Sequence, residues 1–176
     1  MDSIYSRDLE NRTRGNEMSK TGNLIFFGGH SHSGKSTKAL ALGEKLNAPV
    51  LSIDHWVSVI SSPEGSVEKY MENYPNCLKL MRETAIDLLR KGTDVIFDFG
   101  GNTKADRDWI KTLLNETGAT HDLYLMNTPI EICKKRFAQS ESSDKMPSDH
   151  FEKLIRRIDN PLSSEGFNIT EIEFDQ

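Results

Sequence analysis

Positive charge is in short supply: 22 lysines and arginines stand against 27 acidic residues, a formal net charge of −5 over 176 residues. Duplex nucleic acid is held by neutralising many phosphates, so a broad basic face for a nucleic-acid duplex is not expected. Lys134-Lys135-Arg136 and Arg156-Arg157 are the dense basic clusters outside the N-terminal stretch, enough for a small site or for solvated helix faces. Long apolar runs are missing too. Nothing approaches the roughly 18–20 apolar residues that a membrane span requires, and residues 1–23 carry no apolar stretch of the kind a secretory signal needs. The expectations are no membrane partner and a cytoplasmic location. Cysteine is limited to Cys77 and Cys133, in segments that read as helical and outside any CxxC pair or histidine-rich cluster. Reduced, partly buried thiols follow, rather than a disulfide framework.

What the chain has is alternation. Residues 1–22 are polar, mixed in charge and without hydrophobic period, and read as a flexible extension in which Met18 could be the natural start. Residues 23–176 suffice for one domain with a proper core and are too few for two. Leu24-Ile25-Phe26-Phe27 is a short apolar run ending in Gly28-Gly29, as a buried strand running into a turn would be. A helix is predicted over 35–47 with Ala39, Leu40, Leu42 and Leu46 on its apolar face. Further strands are predicted at 50–54, 95–99, 122–126 and 169–174. Further helices are predicted over 76–91, with Leu80, Ala85, Leu88 and Leu89 inward and Gly92 as a stop, over 103–116 behind a Thr103 cap, over 129–140 opened by Pro129, and over 148–158. Strands alternating with helices call for a parallel sheet covered on both faces, a three-layer α/β/α domain. The polar stretch around 137–150 reads as a short lid.

Gly29-His30-Ser31-His32-Ser33-Gly34-Lys35-Ser36 matches the pattern G-x-x-x-x-G-K-[ST] in full, with Thr37 behind it. Glycines let the backbone wrap, successive amides point into an anion hole, and the helix opening near Lys35 adds its positive end. The motif follows a predicted strand and opens a predicted helix, the context a phosphate-binding P-loop requires. Lys35 would reach the β and γ phosphates of ATP, and the Ser36 hydroxyl would ligate Mg²⁺. His30 and His32 occupy variable positions and border the loop rather than perform proton chemistry.

Ligands of an open parallel sheet bind beyond the carboxyl ends of its strands, where Asp54 and Asp98 are expected. Asp98 closes an apolar strand as a Walker B aspartate does and is a second candidate for the metal. Asp54 could accept a proton from an attacking hydroxyl. Each could instead cap a turn or helix. Phosphoryl transfer also needs cations on the far side of the γ phosphate. Arg136 is the first candidate, Lys145 is the one cation of the stretch 139–147, and Arg156 and Arg157 either complete the site or lie on the surface.

With these residues in place, the chain resembles the small P-loop kinases grouped as zeta-toxin-like or polynucleotide-kinase-like proteins. The resemblance runs from Leu24 to Phe174 and is carried by Gly29 to Thr37, Leu51-Ser52-Ile53-Asp54, Val95-Ile96-Phe97-Asp98, Ile132-Cys133-Lys134-Lys135-Arg136-Phe137, and Asn160-Pro161-Leu162-Ser163-Ser164-Glu165-Gly166-Phe167. It implies a five-stranded parallel sheet of order 2-3-1-4-5, Asp54 as general base, Lys35 and Ser36 in phosphate and metal roles, and Arg136 as lid arginine. It also implies transfer of the ATP γ phosphate to a hydroxyl, either of a small molecule or of a single-stranded nucleic-acid 5′ end. The chain departs from the pattern at His55-Trp56-Val57, where an arginine often follows the base, and near Ser140, where the lid lacks its usual second arginine. Substrate binding therefore differs, or catalysis is weak, and Trp56 either stacks on a ring-shaped acceptor or packs in the core. A regulator or sensor that binds nucleotide without a phosphoryl acceptor, or a simple NTPase, is the competing function.

Overall fold

All six residues of the first strand, β1 (Asn23–Gly28), are buried. A continuous apolar run of this kind is stable only where a parallel sheet is covered on both faces. In the computed structural model, which describes residues 21–61, 67–140 and 150–174, β1 is the middle strand of five. The others are β2 (Val50–Leu51), β3 (Val95–Gly100), β4 (Thr120–Asn127) and β5 (Ile169–Glu173). The sheet order is β2-β3-β1-β4-β5 and every pairing is parallel, the expected three-layer α/β/α arrangement of a P-loop NTPase.

Side chains alternate across the sheet, so each strand serves two cores. Leu24, Phe26, Val95, Phe97 and Leu123 face one side. Helix α3 (Val67–Arg90) covers it with Met81, Ala85 and Leu89, and α4 (Lys104–Thr117) with Ile110 and Leu113. Ile25, Phe27, Ile96 and Tyr124 face the other, under Ala39 and Leu42 of α1 (Lys35–Leu46). Three short elements complete the described fold: α2 (Ile53–Ser61), α5 (Ile130–Ala138) and α6 (His150–Ile155).

Several expected boundaries shift. The strand predicted over 50–54 ends at Leu51, and Asp54 is the second residue of α2. Buried Ile53, Val57 and Ser61 recur at helical spacing, and Ser52 supports the first turn, its carbonyl accepting from the Trp56 amide at 3.1 Å. The predicted helix over 76–91 begins at Val67 and runs through Pro75. Proline removes one backbone donor, and the carbonyl it deprives belongs to Met71, which is exposed and open to water. Leu40 and Leu80, expected on apolar faces, are more than half exposed; one position round the helix, Ala39 and Met81 take the core instead. Thr103 caps α4 as expected: its hydroxyl accepts from the Asp106 amide and the Asp106 carboxylate accepts from the Thr103 amide, a box worth about 1 kcal/mol. Cys77 and Cys133 are both free thiols and fully buried. Residues 1–20, most of the lid stretch with Lys145, and the expected start of the last helix at Ser148 lie outside the described residues.

The largest fully buried side chain is Arg107 of α4. Its guanidinium donates to Glu165 Oε2 at 2.8 Å and Oε1 at 2.9 Å, to the Asp159 carbonyl at 2.7 Å and to the Gly101 carbonyl at 3.1 Å. Such a charge is tolerated only when paired and hydrogen-bonded this fully. Glu165 is pulled down from 4.5 to about 2, chiefly by the hydrogen bonds from Arg107. A carboxyl depressed in the folded state contributes stability above about pH 4.5, and that contribution is lost as pH falls toward about 2. Glu165→Gln should therefore cost about 3–5 kcal/mol at neutral pH, by leaving a buried guanidinium uncompensated. Urea titrations from pH 7 down to pH 3 should show the variant and the wild type converging as the acid limit is approached.

Candidate active site

The passage from β1 to α1 is the centre of the site. Gly29 turns out of the strand at φ 135°, and a Cβ there would lie 2.9 Å from Met126 Cβ, so both conformation and space demand glycine. His32 adopts φ 62° and Gly34 φ 98° before α1 begins. A non-glycine residue in the left-handed region is uncommon and marks a loop held in a specific shape. The hold on His32 is visible: its carbonyl accepts from Arg136 Nη1 at 3.3 Å, its ring packs edge-on against Phe137, and its Nδ1 lies 2.9 Å from Ser31 Oγ. From β4's end, Thr128 donates its hydroxyl to the Ser33 carbonyl at 2.9 Å.

Lys35 Nζ donates to the carbonyls of Gly29 at 2.9 Å and His30 at 2.8 Å, so its ammonium folds back over the loop's own rim. Burial lowers the Lys35 pKa, and the nearby Asp98, Cys133 and Asp54 push it back up. His30 and His32 are both held below their ordinary value, first by burial and then by Lys35, which favours neutral rings beside the lysine. Among the described residues, the buried side-chain atoms without a hydrogen-bond partner are His30 Nδ1 and Ser33 Oγ. Both belong to this loop.

Ser36, the second residue of α1, donates its hydroxyl to Asp98 Oδ2 at 3.1 Å. Strand parity explains the meeting: Asp98 shares the face of Ile96, which α1 covers. The ladder between β1 and β3 pairs Phe26 with Phe97 but Phe27 with Gly100. Asp98 and Phe99 thus lie at an irregularity in the ladder. Asp98 is not the terminal residue of its strand, which runs two residues further, and it is 8% exposed. Burial pushes its carboxyl up; hydrogen bonds from Ser52 and Ser36 pull it back, and Asp54 adds to the upward push.

Asp54 is exposed on the first turn of α2, where Tyr70 of α3 donates its hydroxyl to Oδ1 at 2.5 Å. Burial, followed by this hydrogen bond, raises the Tyr70 pKa far above its ordinary value. Tyr74 lies alongside, its ring centroid 6.0 Å from that of Tyr70. Neither tyrosine was expected from the sequence. Their spacing of four residues on one helix face was the available signal, but the predicted start of that helix at residue 76 hid it. Trp56 is partly buried against the main core. Arg136 lies on the rim of the loop with its guanidinium 5.5 Å from the Phe174 ring. Arg156 and Arg157 are exposed in the turn after α6, and Thr37 is exposed on α1. A cavity of about 240 Å³ lies between the loop and residues 158–161, lined by Gly29, His30, Asn102, Thr128 and Asp159 among others.

A five-stranded parallel sheet of this order, with a glycine-rich loop between its central strand and the following helix, is the P-loop NTPase fold. A protein-family model described as an AAA domain matches residues 24–161, and the chain belongs to that family. No curated protein matches the chain significantly. Among solved structures, a candidate kinase from Chloroflexus aurantiacus is similar at TM-score 0.72 and 21% identity, covering 87% of this chain and 85% of that one. The APS kinase of Mycobacterium tuberculosis, in complex with AMPPNP and APS, follows at TM-score 0.62 and 20% identity, covering 89% and 90%. Chaetomium thermophilum Kti12, in complex with ADP-AlF3, is similar at TM-score 0.64 and 18% identity, covering 86% and 89%. At these identities the likeness is one of fold.

The loop geometry carries a direct expectation. Gly34 has room for a methyl group, with nothing nearer than Arg136 Nη1 at 3.7 Å, so its glycine answers to φ alone. Gly34→Ala should cost about 1–2 kcal/mol in chemical denaturation through the left-handed backbone.

Proposed function

We propose that this protein is an ATP-dependent phosphotransferase that moves the γ phosphate to a hydroxyl acceptor. The observation that carries the reading is the Ser36–Asp98 pair at 3.1 Å beside Lys35, with Asp54 close enough to perturb both Lys35 and Asp98. Phosphate-binding, metal-binding and proton-accepting groups thus converge at one edge of the sheet. The orphaned Ser33 hydroxyl and His30 nitrogen within the loop suit a site whose polar partners come from a bound polyanion.

Gly29 to Thr37 would wrap the phosphates, with backbone amides and the start of α1 supplying positive potential. Lys35 would leave the Gly29 and His30 carbonyls for the β and γ oxygens, exchanging neutral acceptors for charged ones. The Ser36 hydroxyl and the Asp98 carboxylate are hard oxygen donors at mutual hydrogen-bond distance, and they fit Mg²⁺, which binds through one or two protein oxygens plus phosphates. When bound, that ion supplies neutralisation of charge on the transferring group. Asp54, held at one carboxylate oxygen by Tyr70, would present the other to the acceptor hydroxyl and take its proton as the new O–P bond forms. Arg136 would release the His32 carbonyl and meet the phosphoryl charge from the lid side.

For the acceptor, a small molecule is favoured over a nucleic-acid 5′ end. The net charge is −5, His55-Trp56-Val57 offers no arginine for a neighbouring phosphate, and the surroundings of Asp54 are tyrosines. A nucleotide-binding regulator without an acceptor is the second reading, favoured by Arg136 being engaged with the loop carbonyl and the Phe174 ring.

Incubation with labelled ATP and Mg²⁺ against free 5′-hydroxyl oligonucleotides and a panel of small alcohols separates the two. Label on an alcohol supports the kinase; tight nucleotide binding with label on no acceptor supports the regulator. Asp54→Asn should lower transfer by about 10²–10⁴-fold while sparing nucleotide affinity. Lys35→Met should weaken both, because its charge serves ground and transition states alike. Normal turnover in Asp54→Asn removes that residue from the base role.

A further inference from the structure

The first amide of the loop has a partner that the motif does not provide. Gly29 N donates to Asn102 Oδ1 at 2.7 Å. Asn102 follows β3 and is itself held on both sides. Its backbone carbonyl accepts from the Asp159 amide at 2.8 Å, and the carbonyl of the preceding residue, Gly101, accepts from Arg107 Nη1 at 3.1 Å. Arg107 Nη1 also reaches the Asp159 carbonyl at 2.7 Å, and the rest of its guanidinium is clamped on Glu165. A single buried cation therefore holds the backbone before Asn102 directly and, through Asp159, the carbonyl of Asn102.

We propose that Asn102 is a positioning residue for the phosphate cradle, and that Arg107 acts through it, linking the loop to residues 158–165 that follow the lid stretch. The proposal rests on reading Gly29 to Thr37 as a nucleotide cradle. Three physical points favour it over a purely structural hub. Gly29, at φ 135°, has no side chain to restrict its backbone, and an external acceptor for its amide helps select one conformation. The acceptor is neutral: a carboxylate at position 102 would hold the same amide but set a negative charge beside the phosphate site. The cavity bounded by Gly29, His30, Asn102 and Asp159 lies between the two parts that Asn102 joins, so the linkage spans the space a ligand would enter. Order in residues 158–161 and the shape of the cradle are thereby coupled, and by reciprocity nucleotide binding stabilises both.

The test is a double-mutant cycle on the affinity of the full chain for a non-hydrolysable ATP analogue with Mg²⁺, measured by titration calorimetry on folded protein. Asn102→Ala is expected to weaken binding about tenfold, the equivalent of one well-placed hydrogen bond. Arg107→Lys keeps the charge but loses the fork, and is expected to weaken binding about three- to tenfold. The double variant is expected to bind within about twofold of Asn102→Ala, because both act through one group. Glu165→Gln releases the same guanidinium and repeats the cycle if Arg107→Lys does not fold. In nucleotide-free protein, exchange of the Gly29 amide should quicken in Asn102→Ala by about tenfold or more, while that of the Leu123 amide in β4 is unchanged. Wild-type affinity in Asn102→Ala, or effects that multiply in the double variant, would overturn the proposal, since a merely structural Arg107 lowers stability without touching affinity. Wild-type protein that binds no nucleotide overturns the cradle reading, and this proposal with it.

Discussion

The turn between Gly28 and Lys35 has to be made in a narrow slot, because β1 is flanked on both sides by parallel neighbours whose own ends rise beside it. That constraint organises the rest of the working edge. With no room to spread sideways, the loop closes on itself through left-handed residues at His32 and Gly34, and its groups find partners on the flanking segments. Asn102 after β3 takes the Gly29 amide, Thr128 after β4 takes the Ser33 carbonyl, and Arg136 of α5 takes the His32 carbonyl. Asn102 belongs to the crossover from β3 to β4, and Thr128 and Arg136 to the one from β4 to β5. The loop is thus a product of the topology as much as of its own eight residues.

Electrostatics at this edge are arranged around one desolvated cation. Lys35 loses hydration and recovers it from two carbonyls and from Asp98 and Asp54. Asp98 is in the mirror situation, its burial offset by Ser52, Ser36 and the lysine. Neither group is comfortable alone. Their closeness keeps a buried lysine and a buried carboxylate compatible, and a polyanion with its counter-ion is the kind of ligand that would relieve both.

Features of the fold with strong local chemistry were legible in the sequence. The apolar β1 run, the Thr103 cap, Pro129 at the head of α5 and the glycine loop each leave a pattern within a few residues, and each appears where expected; the Asp106 half of the Thr103 capping box is not among the expected features. What stayed hidden is what depends on three-dimensional neighbours. The first turn of α2 reads as the tail of a strand because Val50, Leu51 and Ile53 are apolar, and only the burial of Ile53, Val57 and Ser61 on one face separates the two. Tyr70 and Tyr74 lie upstream of residue 76, where the helix is predicted to begin, although it begins at Val67. Asp98 is found from its strand, but its meeting with Ser36 depends on how β3 and α1 pack across the sheet, which no local pattern announces. Arg107 and Glu165 lie 58 residues apart; Glu165 was singled out only through its resemblance segment and Arg107 not at all, because an arginine inside a helical pattern reads as solvated by default.

The placement of Asp54 bears on the step from binding to transfer. A carboxylate at the end of a strand would be fixed by the sheet, whereas Asp54 stands on the first turn of a short helix whose position is set by packing against α3. Its geometry is therefore inherited from the α2–α3 pair, and the Tyr70 hydroxyl is the contact that registers one helix against the other at the carboxylate. In the proposed reaction, phosphate binding would rest on the loop that leaves the central strand, and proton acceptance on the α2–α3 pair. The two halves of the proposed reaction are thus carried by parts of the fold with different rigidity: the half shared with every P-loop protein sits on the sheet, and the half that selects an acceptor sits on the helical pair beside it.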